Sequence, residues 1–468
     1  MTQTRSRLFS LFSAKYVAVA LFALALFSGL ALAKEKKSQD PNTPEMVRIE
    51  TGNVGRFIIT YTTGSSASCE DDSDPKLGTH VYYGKSKTNL DKIATGKSSR
   101  FVHDKYSATV HVVEMPTLEA NTVYYYKVGD LSFDNGLSDI YMLDTRPPKT
   151  WAVYGDFGVT NEEKSLSPLL KDGEDRLYQG VLHVGDIAYD LHNAKGGRGD
   201  QFLNSLQSIT GNMPYMLAAG NHESHDNFTH VHGRFPGLEL IGRDSKSNTK
   251  LWYSFNQPYV HFVVIDTEVY KYFPDEAQQK RQLDWLRADL TWANQNRNKY
   301  PWVVMLGHKC DWQDNVKFDD FRTIAHSYGV DLLICGHQHN YQRLFPGLRS
   351  KVQVYDDPEV FTDPKYWVQI VVGSPGCQEN ISSGVAPYKN GLASYFLSYG
   401  FGFLTIHNST HLEWQWKQTH KGDELKTVDE TAARLIKIQN ALLGATADKA
   451  SIKDRMMIIQ HYHGPRNY

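Results

Sequence analysis

Five times between Trp151 and His339 an apolar run ends in glycine and is followed at once by a residue that can bind a metal ion. Trp151 to Tyr154 leads to Gly155-Asp156, and Val181 to Val184 leads to Gly185-Asp186. Tyr215 to Ala219 leads to Gly220-Asn221, and Val303 to Leu306 leads to Gly307-His308. Leu332 to Cys335 leads to Gly336-His337, with His339 two residues further on. Carboxylates, an amide and imidazoles without thiolate are a donor set for zinc, iron or manganese. A single Gly-Asp after a strand is often only a turn, and a lone Gly-His carries no chemistry. Five in series, each closing an apolar run, are what one polar site built from converging strands requires.

The elements that must hold these residues can be read around them. Short apolar runs bounded by glycine are buried strands of an α/β sheet, which place function at their carboxyl ends. Glycine lets the chain turn sharply there, so the next side chain can enter a shared cavity. Between the runs lie helical stretches. Asp275 caps one that extends to Asn296, with Leu283, Leu286 and Leu290 on one face. Asp319 to Tyr328 is another, with Phe321, Ile324 and Tyr328 at helical spacing. Alternating strand and helix predicts a layered α/β domain over residues 148–417. Near its end, Phe401 to Ile406 and His411 to Trp416 flank Asn408-Ser409-Thr410 and predict a hairpin.

Residues 47–147 have a different texture. Phe57 to Tyr61, Thr109 to Val113 and Val123 to Val128 are short β-rich runs separated by turn residues, without an intervening helix. That pattern predicts an all-β sandwich of about 100 residues. Its aromatics Tyr82, Tyr83, Tyr124 and Tyr126 are expected in its core rather than on a carbohydrate-binding face. Pro147-Pro148 closes it. After residue 418 the tail to 468 is expected to be helical. Ala432, Leu435 and Leu442 lie roughly on one face between Val428 and Leu443. Packing on the body or self-association as a homodimer is its expected use.

The N-terminus has a basic start (Arg5, Arg7, Lys15), an apolar run from Tyr16 to about Leu30, and Ala31-Leu32-Ala33 before Lys34. This predicts a cleaved signal peptide over 1–33, a polar linker over 34–46 and a secreted, extracellular chain. No membrane association is expected after cleavage. Three sequons, at Asn227, Asn380 and Asn408, suit that compartment as glycosylation sites. Cys69, Cys310, Cys335 and Cys377 allow up to two disulfides in three connectivities, with a buried free thiol the alternative for Cys335. A net charge of −2 over 468 residues leaves no basic excess for nucleic acid.

With these residues in view, the chain resembles the metallophosphoesterases. Their motifs read Gly-Asp, Gly-Asp, Gly-Asn-His, Gly-His and Gly-His-X-His in this order. Tyr189, three residues after Asp186, narrows the resemblance to the purple acid phosphatases. That resemblance spans residues 47 to about 417. It implies a layered metallophosphoesterase β-sandwich with flanking helices, preceded by a fibronectin III-like domain. It implies Fe(III) held by Asp156, Tyr189 and His339, and a divalent ion (Fe, Zn or Mn) held by Asn221, His308 and His337, with Asp186 bridging. The implied activity is acid phosphatase, a phosphoric monoester hydrolase of class EC 3.1.3.2 acting on phosphate esters. A metal-bound hydroxide would be the nucleophile. A phosphodiesterase or nucleotide pyrophosphatase, or a non-catalytic secreted binding glycoprotein, are the competing readings. His222 is the candidate to bind phosphate or protonate the leaving group, and Glu223 to orient a neighbour. Many members carry further histidines just after the His308 position. Here that loop has none before His326, and Lys309 is the candidate to supply the missing charge to substrate. Arg343 is expected only to anchor the His339 loop.

Overall fold

The computed structural model describes residues 40–67, 76–270, 275–309, 318–348, 351–382, 391–421 and 451–466. The signal peptide, Cys69, Cys310 and the helix expected over 428–443 lie outside the described residues.

The first domain is two four-stranded antiparallel sheets. One orders its strands Glu45–Thr51, Phe57–Thr63, Tyr106–Glu114, Lys97–His103. The other orders Lys92–Thr95, His80–Gly84, Val123–Gly129, Tyr141–Asp144. Burial alternates along Val123–Gly129, the period of a strand with one face inward. Tyr83, Tyr124 and Tyr126 fill the core with Ile49, Ile59 and Val128, whereas Tyr82 is half-buried. This domain is docked on the next. Met46 and Val47 N–H groups donate to Asn204 Oδ1 and Gln207 Oε1 (3.0 and 2.8 Å), and Tyr126 Oη donates to the Gly211 carbonyl (2.7 Å).

The second domain has two seven-stranded sheets. The first runs Tyr215–Ala218, Gly180–Val184, Thr150–Tyr154, Ser398–Ile406, His411–Lys421, Ser451–Ile459, Val360–Thr362. The second runs Tyr253–Gln257, Val260–Val264, Trp302–Leu306, Leu332–Cys335, Val368–Val372, Tyr341–Leu344, Leu392–Phe396. Trp151 of the first meets Phe255 and Phe262 of the second (centroids 6.1 and 5.4 Å), inside one continuous apolar core. The five site-bearing strands divide three and two between the sheets, and each group is parallel. Their wholly buried residues explain the uninterrupted apolar runs.

The helix Glu276–Gln295 forms as its pattern predicts, with Asp275 accepting from Ala277 N–H (2.9 Å) and Leu283, Leu286 and Leu290 buried. Asp319–Ser327 is helical too, and Ser398–Ile406 pairs antiparallel with His411–Lys421.

The tail departs from expectation. Ser451–Ile459 is a strand, not a helix, antiparallel to His411–Lys421 and parallel to Val360–Thr362. Its anchor is Asp454, which takes Arg343 in a two-point ion pair (Nε–Oδ2 2.6 Å, Nη2–Oδ1 2.8 Å) and Tyr341 Oη at 2.6 Å. Arg343 therefore ties down the C-terminal strand. Cys335 also differs from its free-thiol alternative: it is disulfide-bonded to a partner outside the described residues, while Cys377 is free and buried. Among the described residues no helix is long and apolar enough to cross a membrane.

Candidate metal centre

All five strand ends converge where the carboxyl edges of the two sheets meet. Sequence reading treats their glycines as turn formers. Of the five, Gly185 alone has a left-handed φ, at 87°. Gly336 is required for space instead: a Cβ there would sit 2.2 Å from Asp156 Oδ2. The bend falls on the next residue, since Asp156, Asp186 and His337 adopt φ of 58°, 54° and 67°. Such conformations are sparsely populated by non-glycine residues and concentrate at functional sites.

Two donor groups result. In the first, Tyr189 Oη lies 2.9 Å from His339 Nε2 and 3.3 Å from Asp156 Oδ1. His339 Nε2 is 3.4 Å from the same carboxylate oxygen. In the second, His308 Nε2 lies 3.1 Å from both Asn221 Oδ1 and Asp186 Oδ2. Ligand atoms of Asp186, His308 and His337 lie within 4.8 Å of one another. The groups are joined through His337, whose N–H faces both Asp156 oxygens (3.0 and 2.8 Å). All seven expected ligands are thus in one place. Asp156, Asp186, Tyr189, His308 and His339 are buried, and Asn221 and His337 half-buried.

The ring orientations decide what fits there. His308 Nδ1 donates to the Val184 carbonyl (3.0 Å), and His339 Nδ1 to the Asn380 carbonyl (3.1 Å). Each Nε2 is thereby turned toward the oxygen atoms of the site. His337 Nδ1 is buried without a hydrogen-bond partner. Nitrogens crowded by carboxylate oxygens call for a positive charge among them, a proton or a metal ion, and backbone carbonyls behind ligand imidazoles are how such rings are held. The electrostatics agree. Burial works against charge on His308 and His339, yet Asp186 and Asp156 push their pKa values up to about 10 and 11. Burial and the His308 charge lower His337 to about 3. Burial and both carboxylates raise Tyr189 well above the ordinary phenol range. The carboxylates demand positive charge, and the donor set fits metal ions.

Glu223 orients the backbone of this site. Its Oε2 accepts from Asp186 N–H and Gly220 N–H, and its Oε1 from Ile187 N–H, each at 2.8 Å. It so fastens the Asp186 and Asn221 loops together. Burial and the Asp186 charge push its pKa up to about 8.

His222 faces the same cavity. Its Nδ1 donates to Asp190 Oδ1 at 2.5 Å, and its Nε2 lies 3.9 Å from Asp186 Oδ2 and 3.7 Å from Glu379 Oε1. Burial opposes its charge, but Asp190 and Asp186 push its pKa up to about 9. Sequence reasoning missed Asp190, although it follows Tyr189 directly and a search for a carboxylate to orient His222 could have found it. Glu379 left no sequence signal, because its position depends on how a distant loop folds over. Lys309 is not brought to the substrate side. It is buried and paired with Glu268, and its N–H donates to Thr267 Oγ1 (3.1 Å). Burying an ammonium beside a carboxylate costs less than burying it alone, so the charge is satisfied within the fold.

The family comparisons match this geometry. Residues 44–145 match the profile described as purple acid phosphatase, N-terminal domain. Residues 137–341 match calcineurin-like phosphoesterase, and 366–430 match iron/zinc purple acid phosphatase-like protein C. Acid phosphatase type 7 of Danio rerio is 33% identical over 404 residues, 79% of this chain and 86% of that protein. The chain belongs to the purple acid phosphatases. Purple acid phosphatase 18 of Arabidopsis thaliana is 28% identical over 83% of this chain and 83% of its own length. Purple acid phosphatase PPD1 from yellow lupin shares the fold, with a TM-score of 0.67 at 20% identity over 90% of this chain and 75% of that one. As a purple acid phosphatase, the chain is a metallophosphoesterase acting on phosphate esters, and the family implies a dinuclear metal centre.

Proposed function

We propose that this purple acid phosphatase is a secreted phosphoric monoester hydrolase of class EC 3.1.3.2. The supporting observation is the convergence of seven donors, with the Nε2 atoms of His308 and His339 turned toward oxygen atoms of Asp156, Asp186, Tyr189 and Asn221. Asp156, Tyr189 and His339 would hold Fe(III), since carboxylate and phenolate match a hard trivalent ion. Asn221, His308 and His337 would hold a divalent iron, zinc or manganese ion, with Asp186 shared. Such a pair supplies Lewis acidity toward phosphoryl oxygen and a strongly lowered pKa for bound water.

The chain's own residues do the rest. Asp190 fixes the His222 ring and holds a proton on Nδ1, leaving Nε2–H directed into the cavity. From there it can donate to a phosphoryl oxygen and hand a proton to the departing alkoxide. Glu223 keeps the Asp186 and Asn221 loops in register, so geometry is set before substrate arrives. Secretion rests on the N-terminal pattern, and glycosylation on Asn227, Asn380 and Asn408, all of which are exposed.

The experiment compares p-nitrophenyl phosphate with bis-p-nitrophenyl phosphate on the purified chain. A turnover ratio favouring the monoester by at least about tenfold is expected. A ratio favouring the diester would overturn the monoesterase reading and support the phosphodiesterase.

A further inference from the structure

A second group of imidazoles stands apart from the seven donors, where the two domains meet. His103 ends the strand Lys97–His103 of the first domain, and Asp104 follows in the turn. His225 and Asp226 stand at the start of the segment His225–Arg234 of the catalytic domain, where Asp226, Asn227 and Phe228 adopt left-handed φ of 44°, 56° and 59°. One ring nitrogen each of His103 and His225 and one Asp104 carboxylate oxygen all lie within 4.8 Å of one another.

Geometry sets the tautomer of His103. Its Nε2 is 2.7 Å from Asp226 Oδ2, so Nε2–H donates to that carboxylate. In the neutral ring Nδ1 is then the lone-pair nitrogen. It is buried, has no hydrogen-bond partner, and has Asp104 Oδ2 3.7 Å away. A lone pair held toward a carboxylate repels it unless a positive centre stands between. A histidine whose far nitrogen donates to a carboxylate is also the arrangement that fixes imidazole ligands on metals. His225 stacks on His192 (3.8 Å, 12°) and stands edge-on to His103 (5.9 Å, 77°). Burial, with His225 alongside, lowers the pKa of His192.

We propose that His103, Asp104 and His225 form a third metal site that staples the N-terminal domain to the catalytic domain. Two imidazoles and one carboxylate suit Zn2+ rather than Mg2+ or Ca2+, which prefer all-oxygen shells. The exposed Asp104 side leaves the fourth position to water. The site shares no ligand with the dinuclear centre.

The test titrates Zn2+ into the full-length chain whose dinuclear centre is already loaded, following heat of binding and melting temperature. Wild type is expected to take up one further zinc per chain and to melt higher as zinc is added. His225→Ala and Asp104→Asn alter exposed positions, so the fold should tolerate both. Each is expected to weaken that zinc at least tenfold, abolish the zinc-dependent melting shift, and leave the dinuclear metals in place. No further zinc in wild type, or zinc binding unchanged in both variants, would overturn the proposal. Zinc exchange at the dinuclear centre would appear equally in the variants and so would count against it.

Discussion

Replacing Glu223 by glutamine tests how the site is preorganised. Ionised, above its pKa of about 8, the carboxylate accepts three backbone N–H groups, two on Oε2 and one on Oε1, each at 2.8 Å, so the comparison is made at about pH 9. Glutamine keeps the shape but has one acceptor oxygen. With that oxygen at the two-donor position, Ile187 N–H faces an NH2 group; turned the other way, Asp186 and Gly220 do. At least one buried donor is therefore stranded, at about 1–3 kcal/mol. Alanine strands all three and should cost more. The penalty falls on the loops that carry Asp186 and Asn221, so metal affinity should drop by about 10–100-fold. Metal retention against a graded chelator series and urea unfolding of the apoprotein measure the two effects separately. If Glu223→Gln stays within about 0.5 kcal/mol of wild-type stability and keeps its metals equally well, the orienting role is wrong.

Further outcomes follow from other contacts. Asp190→Asn removes the partner that raises the His222 pKa. A general acid must be protonated, so activity is lost as pH rises through its pKa, and the alkaline limb of kcat/KM should move to lower pH. An unmoved limb would take His222 out of the acid role. Asp454→Ala leaves Arg343 buried and unpaired and should cost about 3–5 kcal/mol in denaturant unfolding. Asp331 accepts Val303 N–H (2.9 Å) and meets Arg297 (3.3 Å) and Arg466 (2.9 Å). Burial alone would raise its pKa, but His463 and these arginines bring it below the ordinary value. A depressed carboxylate stabilises the fold above its unfolded pKa and loses that contribution only as pH falls through the lower folded value. Asp331→Asn should therefore melt earlier than wild type at pH 5, with the gap closing below about pH 4.

What the sequence makes legible follows from the range of the forces. Buried parallel strands must be apolar throughout, so each announced itself, and the ligand after each glycine was visible as a local pattern. The capped helix Glu276–Gln295 was legible for the same reason. The division of the five strands between two sheets was not, because pairing partners come from distant parts of the chain. Lys309 read as a free cation since its partner, Glu268, lies 41 residues away. Ser451–Ile459 hides its strand character because Asp454 occupies a buried position, where it is tolerated only through Arg343.

The proposed role of the seven converging donors is to hold the metals on which the phosphatase activity depends. Its most direct test measures p-nitrophenyl phosphate hydrolysis across pH, alongside iron, zinc and manganese content, for wild type and His308→Ala. Wild type should turn over fastest in acid. The variant should lose at least about a hundredfold in kcat together with metal from the Asn221, His308 and His337 group. A metal-loaded wild type inert at every pH, or a His308→Ala variant of undiminished turnover, would contradict the account.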